Sequence, residues 1–124
     1  MSDLTVASSS NTPAVLFSLN AKVQSIVGIS TPIDSFEFYR PLIQWITDHQ
    51  EQIPHDSVFR FELNYFNSSS MKALLWLIQA IANGIGQGKS WSIDWVVTED
   101  DEFMEEAGES FQSLIDVPLN IVRL

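Results

Sequence analysis

Ser57-Val-Phe-Arg-Phe-Glu-Leu-Asn-Tyr-Phe66 alternates apolar and polar residues until Asn67-Ser-Ser-Ser70 breaks the pattern. In an extended chain Phe59, Phe61, Leu63 and Tyr65 share one face, while Arg60, Glu62 and Asn64 share the other. Trp91 to Val97 repeats the arrangement, with Trp91, Ile93, Trp95 and Val97 opposite Ser92 and Asp94. A strand buried on both faces reads as a continuous apolar run. These two are therefore predicted to be covered by helices on one face and open on the other. Between them, about Ser69 to Ile85 carries the apolar repeat of a helix, closed by Gly84, Gly86 and Gly88.

Outward from this unit the signals are local. Ala14 to Leu19 and Lys22 to Gly28 are short β-like runs split by Asn20-Ala21, spaced for a hairpin. Asp34, with Glu37 three residues on, opens a helix whose stripe is Tyr39, Leu42, Ile43 and Ile46. Pro41 inside that helix is expected to bend or loosen its first turns. Thr98 is expected to cap a third helix, with Glu99, Asp100 and Asp101 in its first turn, where negative charge suits the helix dipole. Pro118 to Leu124 is a final short strand. Residues 1–13, rich in Ser and Thr, read as a mobile N-terminal arm. The order ββαβαβαβ predicts one two-layer α/β domain over 1–124, a mixed β-sheet with three helices mainly on one face.

The chain has 124 residues, of which 45% are hydrophobic and 11% aromatic, enough for a real core. Six Lys and Arg stand against sixteen Asp and Glu, for a net charge of −10. That balance disfavours nucleic acid and an anionic membrane as partners, since both require basic surface. The absence of cysteine excludes disulfides, zinc thiolates and a cysteine nucleophile. No apolar run approaches the roughly 20 residues of a membrane span. With neither the basic start nor the apolar stretch of a signal peptide in Met1 to Ser10, a cytoplasmic location is expected.

Motifs of catalysis and cofactor binding are weak. Gly84-Ile-Gly-Gln-Gly-Lys-Ser90 resembles a phosphate-binding loop, but Asn83 stands where the first glycine belongs, and a helix precedes where a strand should. Glu99, Asp100, Asp101, Glu102, Glu105, Glu106 and Glu109 lack the alternation and central glycine of a calcium loop. They read as a solvated helix face, with a basic partner or a metal as lesser alternatives. His49 sits near a helix C-terminus and His55 in a turn, and neither pattern activates a nucleophile. No cofactor and no metal are expected, and a hydrolase using His55 and a serine is a distant alternative.

Asn67, Ser68, Ser69 and Ser70 join a strand to a helix. One hydroxyl is enough for an N-cap, and consecutive exposed hydroxyls at a positive helix end also make a phosphoacceptor or an anion site. The following helix has a stripe of Met71, Leu74, Leu75, Ile78, Ile81 and Ile85, with Trp76 nearly opposite it and Ala73 and Ala80 beside Trp76. A surface helix is normally polar on its outer side. A second apolar strip there suits either a partner, contacted through Asn67, Ser69, Lys72, Ala73, Trp76 and Ala80, or the N-terminal arm folded over it.

Thr12-Pro13, Gly28-Ile-Ser-Thr-Pro32, Phe38-Tyr-Arg-Pro-Leu-Ile-Gln-Trp45, Leu63-Asn-Tyr-Phe-Asn-Ser-Ser-Ser70 and Glu99 to Glu109 together resemble the SiaC family of regulatory phosphoproteins. The resemblance implies a STAS-like fold, similar to anti-sigma-factor antagonists, and a role without catalysis. It implies phosphorylation at Ser68, with Ser69 and Ser70 as alternatives, by a dedicated serine/threonine kinase with a histidine-kinase-like ATPase fold. A PPM-type phosphatase would reverse it. The unphosphorylated protein would bind and activate a diguanylate cyclase, raising cyclic-di-GMP and promoting aggregation and biofilm formation. The family usually has threonine at the position of Ser68, and Glu-Asn at Ile33-Asp34. An anti-sigma-factor antagonist-like switch acting on an anti-sigma kinase is the alternative.

Overall fold

The computed structural model describes residues 3–124. Its strands are β1 (Leu4–Val6), β2 (Ala14–Phe17), β3 (Val23–Ser30), β4 (Val58–Phe66), β5 (Ser92–Val97) and β6 (Asn120–Arg123). Its helices are α1 (Ser35–Asp48), α2 (Ser68–Gly86) and α3 (Glu102–Leu114). The strands lie side by side in chain order. β1, β2 and β3 pair antiparallel, and β3 to β6 pair parallel. Each parallel crossover steps one strand in the same direction, so the right-handed rule sends all three helices to one face. The result is a mixed six-stranded sheet with one face under helices and the other open.

Local signals place most element ends. Asp34 caps α1, its side chain accepting from the Glu37 N–H, and Asn67 caps α2 by accepting from the Ser70 N–H. Pro41 lies inside α1 without ending it. It has no N–H to offer the Glu37 carbonyl, but both residues face solvent. Three tryptophans, Trp45, Trp91 and Trp95, are buried. The indole N–H of Trp91 donates to the Pro54 carbonyl at 3.1 Å, and that of Trp95 to the Met104 carbonyl at 2.8 Å. Burying those rings therefore leaves no orphaned donor.

Three expectations need correction. Residues 4–13 are not a mobile arm: Leu4–Val6 form an edge strand on β2, and Ser9, Asn11 and Thr12 close a hydrogen-bonded turn. The Thr31 N–H also donates to the Asn11 carbonyl at 2.8 Å. Composition does not register this order because a partner strand supplies its hydrogen bonds. Residues 1–2 of the expected arm lie outside the described residues. The third helix is capped by Asp101, not Thr98. Asp101 accepts from the Met104 N–H at 3.1 Å, its own N–H donates to the Thr98 carbonyl, and Asp100 between them takes a positive φ of 65°. Thr98 therefore opens a turn, and Glu102 and Glu105 occupy the first turn of the helix.

The third correction concerns Tyr65. Gly28 pairs with Leu63 but Ile29 pairs with Tyr65, so Asn64 is an extra residue in β4. A bulge of this kind reverses the faces beyond it. Tyr65 turns out to solvent at 49% exposure, and Phe66 turns in, against Trp95 and Phe111.

Two glycines of α2 test this packing from opposite sides. A Cβ on Gly84 would overlap the buried Trp91 ring, whereas one on Gly86 meets nothing. Gly84→Ala is expected to cost about 2 kcal/mol through overpacking. Gly86→Ala is expected to gain about 0.5 kcal/mol through helix propensity. Urea unfolding of the two variants reads both signs.

Candidate functional site

The C-terminal end of β3 and the first turns of α1 and α2 meet at a cluster of hydroxyls. Ser30 Oγ lies 2.6 Å from the Tyr39 hydroxyl and 3.1 Å from Ser70 Oγ. Ser70 donates to the Ser30 carbonyl at 3.0 Å and lies 3.2 Å from Ser35 Oγ, which in turn lies 2.9 Å from Ser69 Oγ. Ser30, Ser35, Tyr39 and Ser70 are all buried. Burial pushes the Tyr39 hydroxyl from its usual 10 up to about 12, against the smaller lowering from its bond to Ser30. Every member is bonded, so the cluster clamps the junction rather than straining it.

The three hydroxyls after Asn67 are therefore unequal. Ser70 is wholly buried and held by Ser30 and Ser35, so nothing can reach it without opening the junction. Ser69 is exposed but engaged with Ser35 and with Asn67 Oδ1. Ser68, the first residue of α2, is exposed, and its hydroxyl bonds to no other described residue. It borders a hollow of about 530 Å³ lined by Tyr65, Met71, Phe103 and Glu106, and by no cation. The reversal at Asn64 puts Tyr65 there, stacked on Phe103 with ring centroids 5.6 Å apart.

One helical turn beyond Ser68, Lys72 is exposed with its ammonium 5.9 Å from the centre of the Trp76 ring. Trp76 is 48% exposed, and Ala80 is partly exposed below it. Ala73, expected beside Trp76 on the outer side, is instead fully buried, as is Leu77. The helical wheel assumed one covered face, whereas α2 packs against α1 as well as β4 and β5. That second contact buries Ala73 and leaves Met71, Leu75 and Ile85 only partly buried. Sequence reasoning also missed Phe36, whose ring centre lies 4.6 Å from that of Trp76. Phe36, Arg40 and Ile43 at i, i+4 and i+7 were the available signal.

Other motifs are accounted for by the fold. The glycine-rich connector follows α2, with Gly88 at a positive φ of 104°. His55 Nε2 lies 3.0 Å from Ser90 Oγ on the exposed surface, and no carboxylate is bonded to the ring among the described residues. The carboxylates of the α3 region line a groove of about 440 Å³, with Glu105 paired to Arg123 at 3.0 Å. Among the described residues no group of three or more His, Asp or Glu side chains is placed to hold a metal ion. No described helix is long and apolar enough to cross a membrane.

Comparison with known proteins gives one consistent answer. The model of the SiaC family of regulatory phosphoproteins matches residues 6–124. A protein of Pseudomonas aeruginosa (strain UCBPP-PA14) is 28% identical over 125 residues, spanning 98% of this chain and 96% of that protein. Among solved structures, apo-SiaC from Pseudomonas aeruginosa aligns with a TM-score of 0.85 at 26% identity, covering 98% of this chain and 99% of that one. A chain from the crystal structure of the diguanylate cyclase SiaD in complex with its activator SiaC, also from Pseudomonas aeruginosa, aligns with a TM-score of 0.88. Its identity is 24%, with 98% of this chain and 100% of that one covered, and it supports the fold.

The hydroxyl cluster carries a pH signature. The folded protein holds the Tyr39 proton up to about pH 12, whereas the unfolded chain releases it near 10. The stabilisation is complete below pH 10 and is lost as pH rises towards 12, on the order of 2–3 kcal/mol in all. Tyr39→Phe is expected to cost about 1 kcal/mol at neutral pH and to remove this part of the alkaline loss. Denaturant midpoints for both proteins between pH 8 and 12 measure the difference.

Proposed function

Since the chain belongs to the SiaC family of regulatory phosphoproteins, we propose that it is a switch without catalytic activity of its own, which binds and activates a diguanylate cyclase until Ser68 is phosphorylated. The observation that carries the choice of residue is the inequality of the serines. Ser68 is exposed and unbonded, Ser69 is engaged, and Ser70 is sealed in the hydroxyl cluster. Support for the partner comes from the related SiaC, which is described as the activator of the cyclase SiaD with which it was crystallised. A serine/threonine kinase with a histidine-kinase-like ATPase fold would write the mark, and a PPM-type phosphatase would erase it. Location in the cytoplasm follows from that cyclase role, and residues 1–124 act as one unit.

The switch works through charge. A phosphate on Ser68 sits at the positive end of α2, where the helix dipole tolerates it. The hollow beside it offers Glu106 and no cation. Lys72, four residues on along the same helix, is therefore its natural counter-ion. Pairing with the phosphate draws that ammonium away from Trp76, changing the surface that Asn67, Ser69, Lys72, Trp76 and Ala80 present to a partner. Threonine, usual in the family, offers the same hydroxyl, so serine keeps the chemistry.

Fragment mass spectrometry of the native protein is expected to find a condition-dependent phosphate on Ser68 and none on Ser70. Ser68→Ala should stay folded and bind the cyclase as the unmodified chain does, whereas Ser68→Asp should bind at least about tenfold more weakly. Equal affinities in calorimetry would remove charge at Ser68 as the switch.

A further inference from the structure

Six cations serve this chain of sixteen carboxylates, and four of them are already paired. Lys22 contacts Asp56, Arg60 contacts Glu62 and Asp94, Lys89 contacts Glu51, and Arg123 contacts Glu105. Among the described residues the two cations without a carboxylate are Arg40 on α1 and Lys72 on α2. They flank the same seam. Arg40 lines a cleft of about 180 Å³ between the two helices, with Phe36, Ile43 and Trp76 as its apolar wall. Ile43 and Trp76 also line a second, open depression of about 450 Å³ further along the seam, where Thr47, Gln50, Gln79 and Asn83 join them, so the two hollows adjoin at those two side chains. Lys72 stands over the Trp76 ring, 5.9 Å from its centre. Neither depression is lined by a single Asp or Glu.

We infer that the α1–α2 seam is the docking groove for an amphipathic helix of the partner, apolar along one face and flanked by carboxylates that meet Arg40 and Lys72. This rests on the reading of the chain as a cyclase-binding switch and specifies which part of the cyclase it takes. A groove running between two long helices fits a third helix laid along it, anchored by side chains at i, i+3 and i+7. The half-exposed Trp76, against Phe36, is the kind of aromatic anchor on which such interfaces depend. The two free cations in a protein of net charge −10 select an acidic segment and steer its approach. A second copy of the chain fits poorly, because two bodies at −10 repel each other. Phosphate on Ser68 then acts as an internal competitor, occupying Lys72 in place of the partner's carboxylate.

The test is calorimetry of the full-length chain with its purified full-length cyclase at low and high salt. Arg40→Glu and Lys72→Glu are expected to weaken binding at least about tenfold each, and the wild-type affinity should fall as salt rises. Lys22→Glu, the same charge change at a paired cation away from the seam, should bind like wild type. Replacing the facing carboxylate of the cyclase helix with lysine should restore affinity for Arg40→Glu. If Arg40→Glu and Lys72→Glu bind normally, the groove is overturned while the cyclase reading stands. Equal loss in Lys22→Glu overturns it as well, reducing the effect to net charge. If the unphosphorylated wild-type chain binds no cyclase, both fall. If light scattering shows a dimer that Trp76→Glu dissociates, the groove belongs to a second copy and the proposal is overturned.

Discussion

The hydrogen-bonded cluster of Ser30, Tyr39, Ser35 and Ser70 pins three elements to one point. β3 ends there, α1 starts there, and α2 starts there with the same hydroxyls in common. In an apolar surrounding each of these groups would cost more unbonded than it gains bonded. The cluster is therefore an all-or-none constraint: moving one helix start breaks bonds on the other two elements. Everything proposed for the surface depends on it. It withdraws Ser70 from solvent, holds Ser69 against Ser35, and leaves Ser68 standing clear as the first residue of α2. It also fixes α1 beside α2, which is what creates the seam around Trp76.

The bulge at Asn64 works at the same place by a different means. Without the extra residue, alternation would point Tyr65 into the helix layer and Phe66 out of the open face. With it, Phe66 fills the core near Trp95 and Tyr65 stacks on Phe103 beside Ser68. A single inserted residue thus supplies both a core side chain and the aromatic wall of the hollow. Bulges recur where a strand must re-aim a side chain near a working surface, and this one lies four residues before the proposed acceptor.

What could be read from the chain was what neighbouring residues decide. The caps at Asp34 and Asn67, the alternation of Phe59, Phe61 and Leu63, and the glycines closing α2 are local, and the fold class follows from their order. Tyr65 was misplaced because a bulge is set by the partner strand, whose register the sequence of β4 does not contain. Ala73 was misplaced because the helical wheel knows of one covered face, and α2 has two. The start of α3 was ambiguous among one threonine and three acids, and was decided by the turn through Asp100. Leu4–Val6 is too short to show a period, and only β2 makes it a strand. The exposure of Trp76 was legible because it lies furthest from both buried sides of α2, whereas Arg40 gained its meaning only once the four cations outside the seam had carboxylate partners.

The strand order of the sheet has a kinetic consequence. Because each strand pairs only with its neighbours in sequence, no segment has to wait for a distant one before it can dock. Relative to a sheet whose neighbouring strands are scattered along the chain, this order keeps the loops that must close short and lowers the entropy cost of assembly. It also allows growth in one direction. The β1–β2–β3 hairpins can form as they leave the ribosome, and each later strand, with its preceding helix, can add to the exposed edge of the last. The hydroxyl cluster closes early in that sequence, once α2 has begun, and the hollow beside Ser68 is completed last, when α3 brings Phe103 and Glu106 to it.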